Sequence, residues 1–208
     1  TASEINDTEA IIQKLIDFQI AIPSWALGTG GTRFGRFAGG GEPRSLEEKI
    51  EDVGLLHTLN KASGAISLHI PWDIPTDPKA IRTLAAQHGL KFDAVNSNTF
   101  QDDDYKLGSV CHPDAKIRQK AVDHLYECID IMDKTGAKDI KLWFADGTNY
   151  PGQDNLADRQ DRLADSLRKC YDRLGPDQRM LLEYKFFEPA FYSTDVPDWG
   201  TSYVHCLE

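Results

Sequence analysis

Apolar and polar positions along the chain follow two alternating rhythms. Short apolar runs with strand-like composition occupy residues 18–25 (FQIAIPSW), 65–72 (AISLHIPW), 91–100 (KFDAVNSNTF), 139–146 (DIKLWFAD) and 179–187 (RMLLEYKFF). Between them lie longer stretches whose apolar residues recur at helical spacing. Local punctuation agrees with helices there. Ser45-Leu46-Glu47-Glu48 has the form of a capping box. Pro78, directly after Asp77, suits the first turn of a helix. Pro113 introduces a long helix from Asp114 to about Gly136, and another runs from about Asn155 to Leu174, where Gly175-Pro176 stops it. Residues 201–208 read as part of a further helix.

Strands that alternate with helices predict repeated βα units and a parallel sheet. Right-handed crossovers then leave a doubly wound sheet or a barrel. The residues that separate these lie just after the strands: tryptophans, asparagines, glycines, a histidine and a Glu/Lys pair. Chemistry spread over the C-terminal ends of many strands is the barrel pattern, whereas a doubly wound sheet gathers it at one switch point. A (β/α)8 TIM barrel takes about 250 residues. With five strands in 208 residues, the chain reads as the first five βα units of such a barrel. Residues 1–208 are expected to form one partial catalytic domain, since no linker, composition shift or repeat marks a second. An unclosed barrel would leave apolar seams exposed.

Composition narrows the function. With 40% hydrophobic and 27% charged residues, the chain has the balance of a globular protein. Its formal net charge of −10 argues against a nucleic-acid partner or an anionic membrane surface, and so against a barrel-type DNA repair nuclease. No run of about 18 apolar residues is present to span a bilayer. The residues Thr1-Ala2-Ser3-Glu4 lack the pattern of a secretory signal. Cys111, Cys128, Cys170 and Cys206 are scattered without a C-x-x-C, as expected of reduced thiols in a cytoplasmic protein.

The sharpest chemical signal is Glu183 and Lys185, two residues apart in an apolar run. On a strand they share a face, and two opposite charges on a buried strand must pair, bind a metal or meet a polar ligand. An ion pair without catalytic duty is the plain alternative. His69 closes the second strand run beside Trp72, where an imidazole could exchange a hydrogen bond with a substrate oxygen. A hydrogen-bonded core histidine is the commoner case. Asn96-Ser97-Asn98-Thr99-Phe100 closes the third run, either as a plain turn or as a polyol-binding rim with Phe100 as an apolar wall. Trp143, before Asp146-Gly147, could be a platform for a sugar ring or a packing residue. The glycine-rich stretch from Ser24 to Phe37 holds neither G-x-x-x-x-G-K-[ST] nor G-x-G-x-x-G, so a phosphate cradle is disfavoured. Cys111-His112-Pro113 has the look of a helix start rather than a nucleophile or a metal site.

Together these strings, PSWALGTGGTRFGRF, SLHIPWD, NSNTF, LWFADGTNYPGQ and LLEYKFFEPAFYSTDVPDWGTSY, resemble bacterial L-rhamnose isomerase, of the type that also acts on other aldoses. The resemblance runs in order from Pro23 to Tyr203. It implies a TIM barrel with two divalent ions, usually Mn2+, that converts aldose to ketose, L-rhamnose to L-rhamnulose. It implies Glu183 as a metal ligand, Lys185 as a catalytic group near the reacting carbons, and His69 as the catalytic group that assists ring opening. Trp25, Trp72, Phe100 and Trp143 would line the substrate pocket. Phe34 would reach into the pocket of a neighbouring subunit of a homotetramer. The remaining metal ligands would lie past Glu208, and one carboxylate does not hold two divalent ions. Another sugar isomerase or epimerase of the same barrel type, or a non-catalytic sugar-binding fragment, are the alternatives.

Overall fold

In a computed structural model of the chain, the described residues are 8–28, 45–185 and 192–207. Most of the glycine-rich stretch, including Phe34, lies outside them. Five parallel strands form the main sheet in the order β1 (Ala21–Pro23), β2 (Ala65–His69), β3 (Lys91–Asn96), β4 (Asp139–Trp143) and β6 (Arg179–Glu183). Each sits inside one of the five apolar runs. Helices α2 (Leu46–Asn60), α3 (Pro78–Gln87), α4 (Ala115–Thr135) and α5 (Leu156–Arg173) make the crossovers, preceded by α1 (Thr8–Ile16) and followed by α6 (Trp199–Leu207). This sequential βα order is a partial (β/α) barrel, as the sequence pattern predicts.

The helix signals act as expected. Ser45 accepts from Glu48 N at 3.2 Å while its own N–H donates to Glu48 Oε2 at 2.9 Å. Asp77, Asp114 and Asn155 cap α3, α4 and α5 with side-chain oxygens, and Pro78 fills the first turn of α3. Gly136 ends α4 at φ 85°, a conformation that favours glycine.

The core forms where the outer strand face meets the helices. Ile66, Leu68, Val95, Ile140 and Leu142 are buried there with Ile50, Val53, Ile81, Leu125, Ile129, Met132 and Leu163. Alternation then turns Ser67 and His69 of β2, and Lys141 and Trp143 of β4, to the opposite, inner face. On β6 the expectation of a buried strand is corrected. This strand is the edge of the sheet, and Arg179, Leu181 and Glu183 are exposed in alternation with half-buried Met180 and Leu182. One-sided pairing leaves its inner face open to water. Exposed apolar side chains gather on α1 at Ile11, Ile12, Leu15 and Ile16, and on α6 at Trp199, Tyr203, Val204 and Leu207.

A small antiparallel pair was not foreseen: β5 (Gly147–Thr148) with β7 (Ser193–Thr194). Strands of two residues carry no readable periodicity. Among the described residues no helix is long and apolar enough to cross a membrane, and all four cysteines are free thiols.

Candidate functional site

The C-terminal ends of four strands bring the sequence-named aromatic residues into one continuous array. Trp25 comes from the 3-10 helix Ser24–Ala26 that follows β1, His69 from the end of β2, Trp72 from the turn after it, Phe100 from the loop after β3, and Trp143 from the end of β4. The imidazole of His69 stacks on Trp72, with centroids 3.8 Å apart and planes at 15°. Trp25 meets His69 edge-on at 5.4 Å, and Phe100 does so from the other side at 5.9 Å. Phe100 in turn meets Trp143 edge-on at 5.1 Å. Lys185 completes the row, its Nζ 4.2 Å from the centre of the Trp143 ring, in cation–π geometry.

Glu183 and Lys185 are placed differently from the strand-based expectation. Glu183 is the last residue of β6, in register with Trp143, and is exposed. Lys185 lies past the strand and is buried. Its backbone is gripped on both sides: its N–H donates to Val196 O at 2.8 Å, and its carbonyl accepts from Thr194 Oγ1 at 2.9 Å.

His69 is electrically quiet. Burial pushes its pKa down to about 4, against a smaller upward pull from the Asp73 carboxylate, so the imidazole is neutral at neutral pH. Its Nδ1 is buried and makes no hydrogen bond among the described residues. Asn96 Oδ1, Ser97 Oγ and Thr99 Oγ1, at the end of β3 and just after it, are buried without hydrogen-bond partners in the same way. Buried polar atoms left unpaired are rare and call for a reason, and a hydroxyl-rich ligand would supply it. Next to the array, a cavity of about 520 Å³ shares Phe100 and is also lined by Thr99, Asp103, Tyr105 and Lys106. The larger cleft, about 1080 Å³, lies on the outer helical layer along α3, away from these side chains.

Asp73 was not picked out by sequence reasoning, although it directly follows Trp72. The residue is 2% exposed. It accepts from the Ser24 hydroxyl, from Lys49 Nζ at 2.6 Å and from the His69 backbone N–H at 2.8 Å. One carboxylate thereby ties α2 and the ends of β1 and β2 together, and with them Trp25, His69 and Trp72. No signal in the chain foretold Arg159 either. It sits in a helix among Asp158, Asp161 and Arg162, like a solvated face, yet is 1% exposed.

A divalent ion needs several hard ligands. Near the array the described residues offer exposed Glu183 and buried Asp73, whose oxygens already accept from Ser24, Lys49 and the His69 N–H, and these do not complete such a site. The described residues hold one cluster with ligand spacing, Cys111, Asp146 and Asp195, whose ligand atoms lie within 4.8 Å of one another. These groups are already engaged. Asp146 accepts from Ser109 N and Oγ, each at 2.7 Å, and from Cys111 N at 3.1 Å. Both oxygens of Asp195 are held by Arg159. Burial pushes the Cys111 thiol well up, away from the thiolate form that binds metals. The guanidinium already supplies the positive charge that a cation would bring.

A sequence profile described as "Xylose isomerase-like TIM barrel" matches residues 61–187. The chain is 45% identical over 207 residues to a probable sugar isomerase of Rhizobium meliloti and 48% identical over 205 residues to a probable sugar isomerase of Mesorhizobium japonicum. These matches cover 97% and 96% of the chain but 48% and 47% of the relatives, so the chain spans about half the length of the curated relatives it matches. Among solved structures, a D-allulose 3-epimerase from Methylomonas sp. matches with a TM-score of 0.62 at 12% identity, covering 90% of this chain and 57% of that one. A 3-keto-D-glucoside 4-epimerase from E. coli matches with a TM-score of 0.61 at 12% identity, covering 92% and 64%. At such identities the likeness shows the fold.

Proposed function

The chain belongs to the xylose isomerase-like TIM barrel family, and from that premise we propose that the complete protein is an aldose–ketose isomerase, in its finer reading an L-rhamnose isomerase. The observation that carries this is the unbroken row Trp25, Trp72, His69, Phe100, Trp143 and Lys185 across the strand ends. Aromatic faces cover the apolar faces of a sugar, and the unpaired Asn96, Ser97 and Thr99 oxygens accept its hydroxyls. As a pyranose ring opens, the neutral imidazole of His69 takes the proton of the anomeric hydroxyl and returns it to the ring oxygen as the C1–O5 bond breaks. At the far end the Lys185 ammonium stabilises negative charge that develops on the carbonyl oxygen during the shift between C1 and C2.

Manganese dependence belongs to the same reading. Glu183 contributes one carboxylate toward a divalent ion, which would polarise the two neighbouring sugar oxygens when bound. The homotetramer, with Phe34 at a neighbour's pocket, is also part of it. The test uses the complete protein with L-rhamnose. L-rhamnulose should form, EDTA should stop the reaction, and Mn2+ should restore it. Glu183→Gln should weaken Mn2+ binding in calorimetry and abolish turnover. Epimerisation of a ketose without aldose conversion would move the assignment to an epimerase of the same barrel type. Sugar binding without any turnover in the metal-loaded protein would overturn the enzyme reading.

A further inference from the structure

Lys185 holds its place without a strand around it. Past Glu183 the chain leaves the sheet, and the Lys185 backbone is fixed by two hydrogen bonds from one short segment: its N–H to Val196 O, and Thr194 Oγ1 to its carbonyl. What fixes Thr194 and Val196 therefore fixes Lys185. Between them sits Asp195, 2% exposed. Arg159 of α5 binds it in a bidentate manner, with Nε 2.9 Å from Oδ1 and Nη2 2.6 Å from Oδ2. Gln160 Nε2 donates to the Asp195 carbonyl at 2.9 Å, and the Asp195 N–H donates to Asp146 O at 3.1 Å. The remaining guanidinium nitrogen, Nη1, donates to Leu107 O and to Asp154 Oδ2, each at 3.1 Å. Gly108 stands where a Cβ would come within 2.9 Å of Arg159 Nη2 and 3.1 Å of Asp146 Oδ2, at φ +113°. A bare backbone lets the guanidinium reach its place.

We propose that Arg159 and Asp195 are positioning residues for Lys185. Their buried pair clamps residues 193–196, and this segment holds the ammonium over Trp143. The proposal rests on the reading of Lys185 as a group that contacts the sugar. A carboxylate that served only to neutralise Arg159 would not need its own N–H and C=O tied down, nor would its two neighbours need to grip Lys185. The guanidinium's planar fork sets orientation as well as charge, so a lysine in its place keeps the charge and loses the second bond.

The experiment uses the complete protein and three variants: Asp195→Asn, Arg159→Lys and the milder Thr194→Val. Turnover should fall on the order of a hundredfold in Asp195→Asn with KM little changed, as expected when a reacting group shifts by about 1 Å. Limited acetylation with acetic anhydride, read by mass spectrometry, gives a measure independent of activity. Labelling of Lys185 should rise about tenfold in Asp195→Asn and Arg159→Lys as local opening is eased. Lys49, which is equally buried but held by Asp73, should keep its parent labelling. Thr194→Val removes one grip on Lys185 and leaves the ion pair intact, so it should show a smaller rise and remain folded if the others do not. Unchanged Lys185 labelling in the folded variants would overturn the proposal, and so would an equal rise at Lys49. Lys185→Met tests the underlying reading by itself: full turnover there would remove the assigned role while the labelling results still judged the clamp.

Discussion

Two buried carboxylates support the two ends of the aromatic row, and they do so by different means. Asp73 lies four residues from His69 and gathers donors from Ser24, Lys49 and the His69 backbone. Asp195 is reached across 36 residues by Arg159, whose other contacts extend to Leu107 and Asp154. At the first centre an anion is the hub, met by one cation and two neutral donors. At the second a cation is the hub, met by two carboxylates and a carbonyl. Removing the hub of either cluster leaves like or unpaired charges in a place that water does not reach, whereas removing a spoke leaves the hub partly satisfied. The His69 end is therefore tied directly, through its own backbone N–H, to a carboxylate that also gathers Ser24 and Lys49 from 49 and 24 residues away, and the Lys185 end indirectly, through contacts that exist only after α5 has packed.

This contrast can be broken in graded steps. Arg159→Met strips the hub from the second centre and strands Asp195, while Asp154 keeps its ion pair with Arg162. It should cost about 4 kcal/mol of unfolding free energy, measured by urea denaturation of the complete protein. A loss no larger than that of a surface substitution would show that the cluster is slack. Acid should act next most strongly, at the first centre. The folded pKa of His69, about 4, lies below its ordinary value of 6.5, so between these values the unfolded chain binds a proton that the folded chain refuses. The stability that the neutral imidazole preserves is fully present above pH 6.5 and is lost as pH falls toward 4, on the order of 3 kcal/mol in all. Lys49, Asp73 and His124 are the charges that act on it. His69→Gln should flatten the dependence of stability on pH in that window, and parallel slopes in parent and variant would refute the assignment. Lys49→Met should have the smallest effect, about 2 kcal/mol, because Asp73 keeps its two neutral donors. A loss equal to that of Arg159→Met would erase the distinction between the centres.

The strands were legible as far as their apolar character went and no further. The runs at 65–72, 91–100 and 139–146 became β2, β3 and β4 in their first halves only. Their C-terminal residues, Trp72, Phe100 and Asp146, left the sheet to form the loops that carry or support the site. Composition cannot separate the two halves, since tryptophan and phenylalanine suit a strand and a pocket wall alike. The same ambiguity touched 179–187, where Glu183 was expected on a buried strand. Exposure there depends on which strand lies alongside, a property of the sheet and not of the run itself.

By itself the amino-acid sequence determined the alternation of strand and helix, the caps that start and stop the helices, and the set of aromatic and polar side chains placed after the strands. These follow from the periods of 2 and 3.6 and from local hydrogen bonding, which a chain expresses within a few residues. Tertiary structure alone decided that Trp25, His69, Trp72, Phe100, Trp143 and Lys185 form one row, that Glu183 faces water, and that Arg159 is a buried hub and not part of a solvated helix face. Each of these depends on which distant segment comes to lie alongside, because burial and ion pairing are set by neighbours in space.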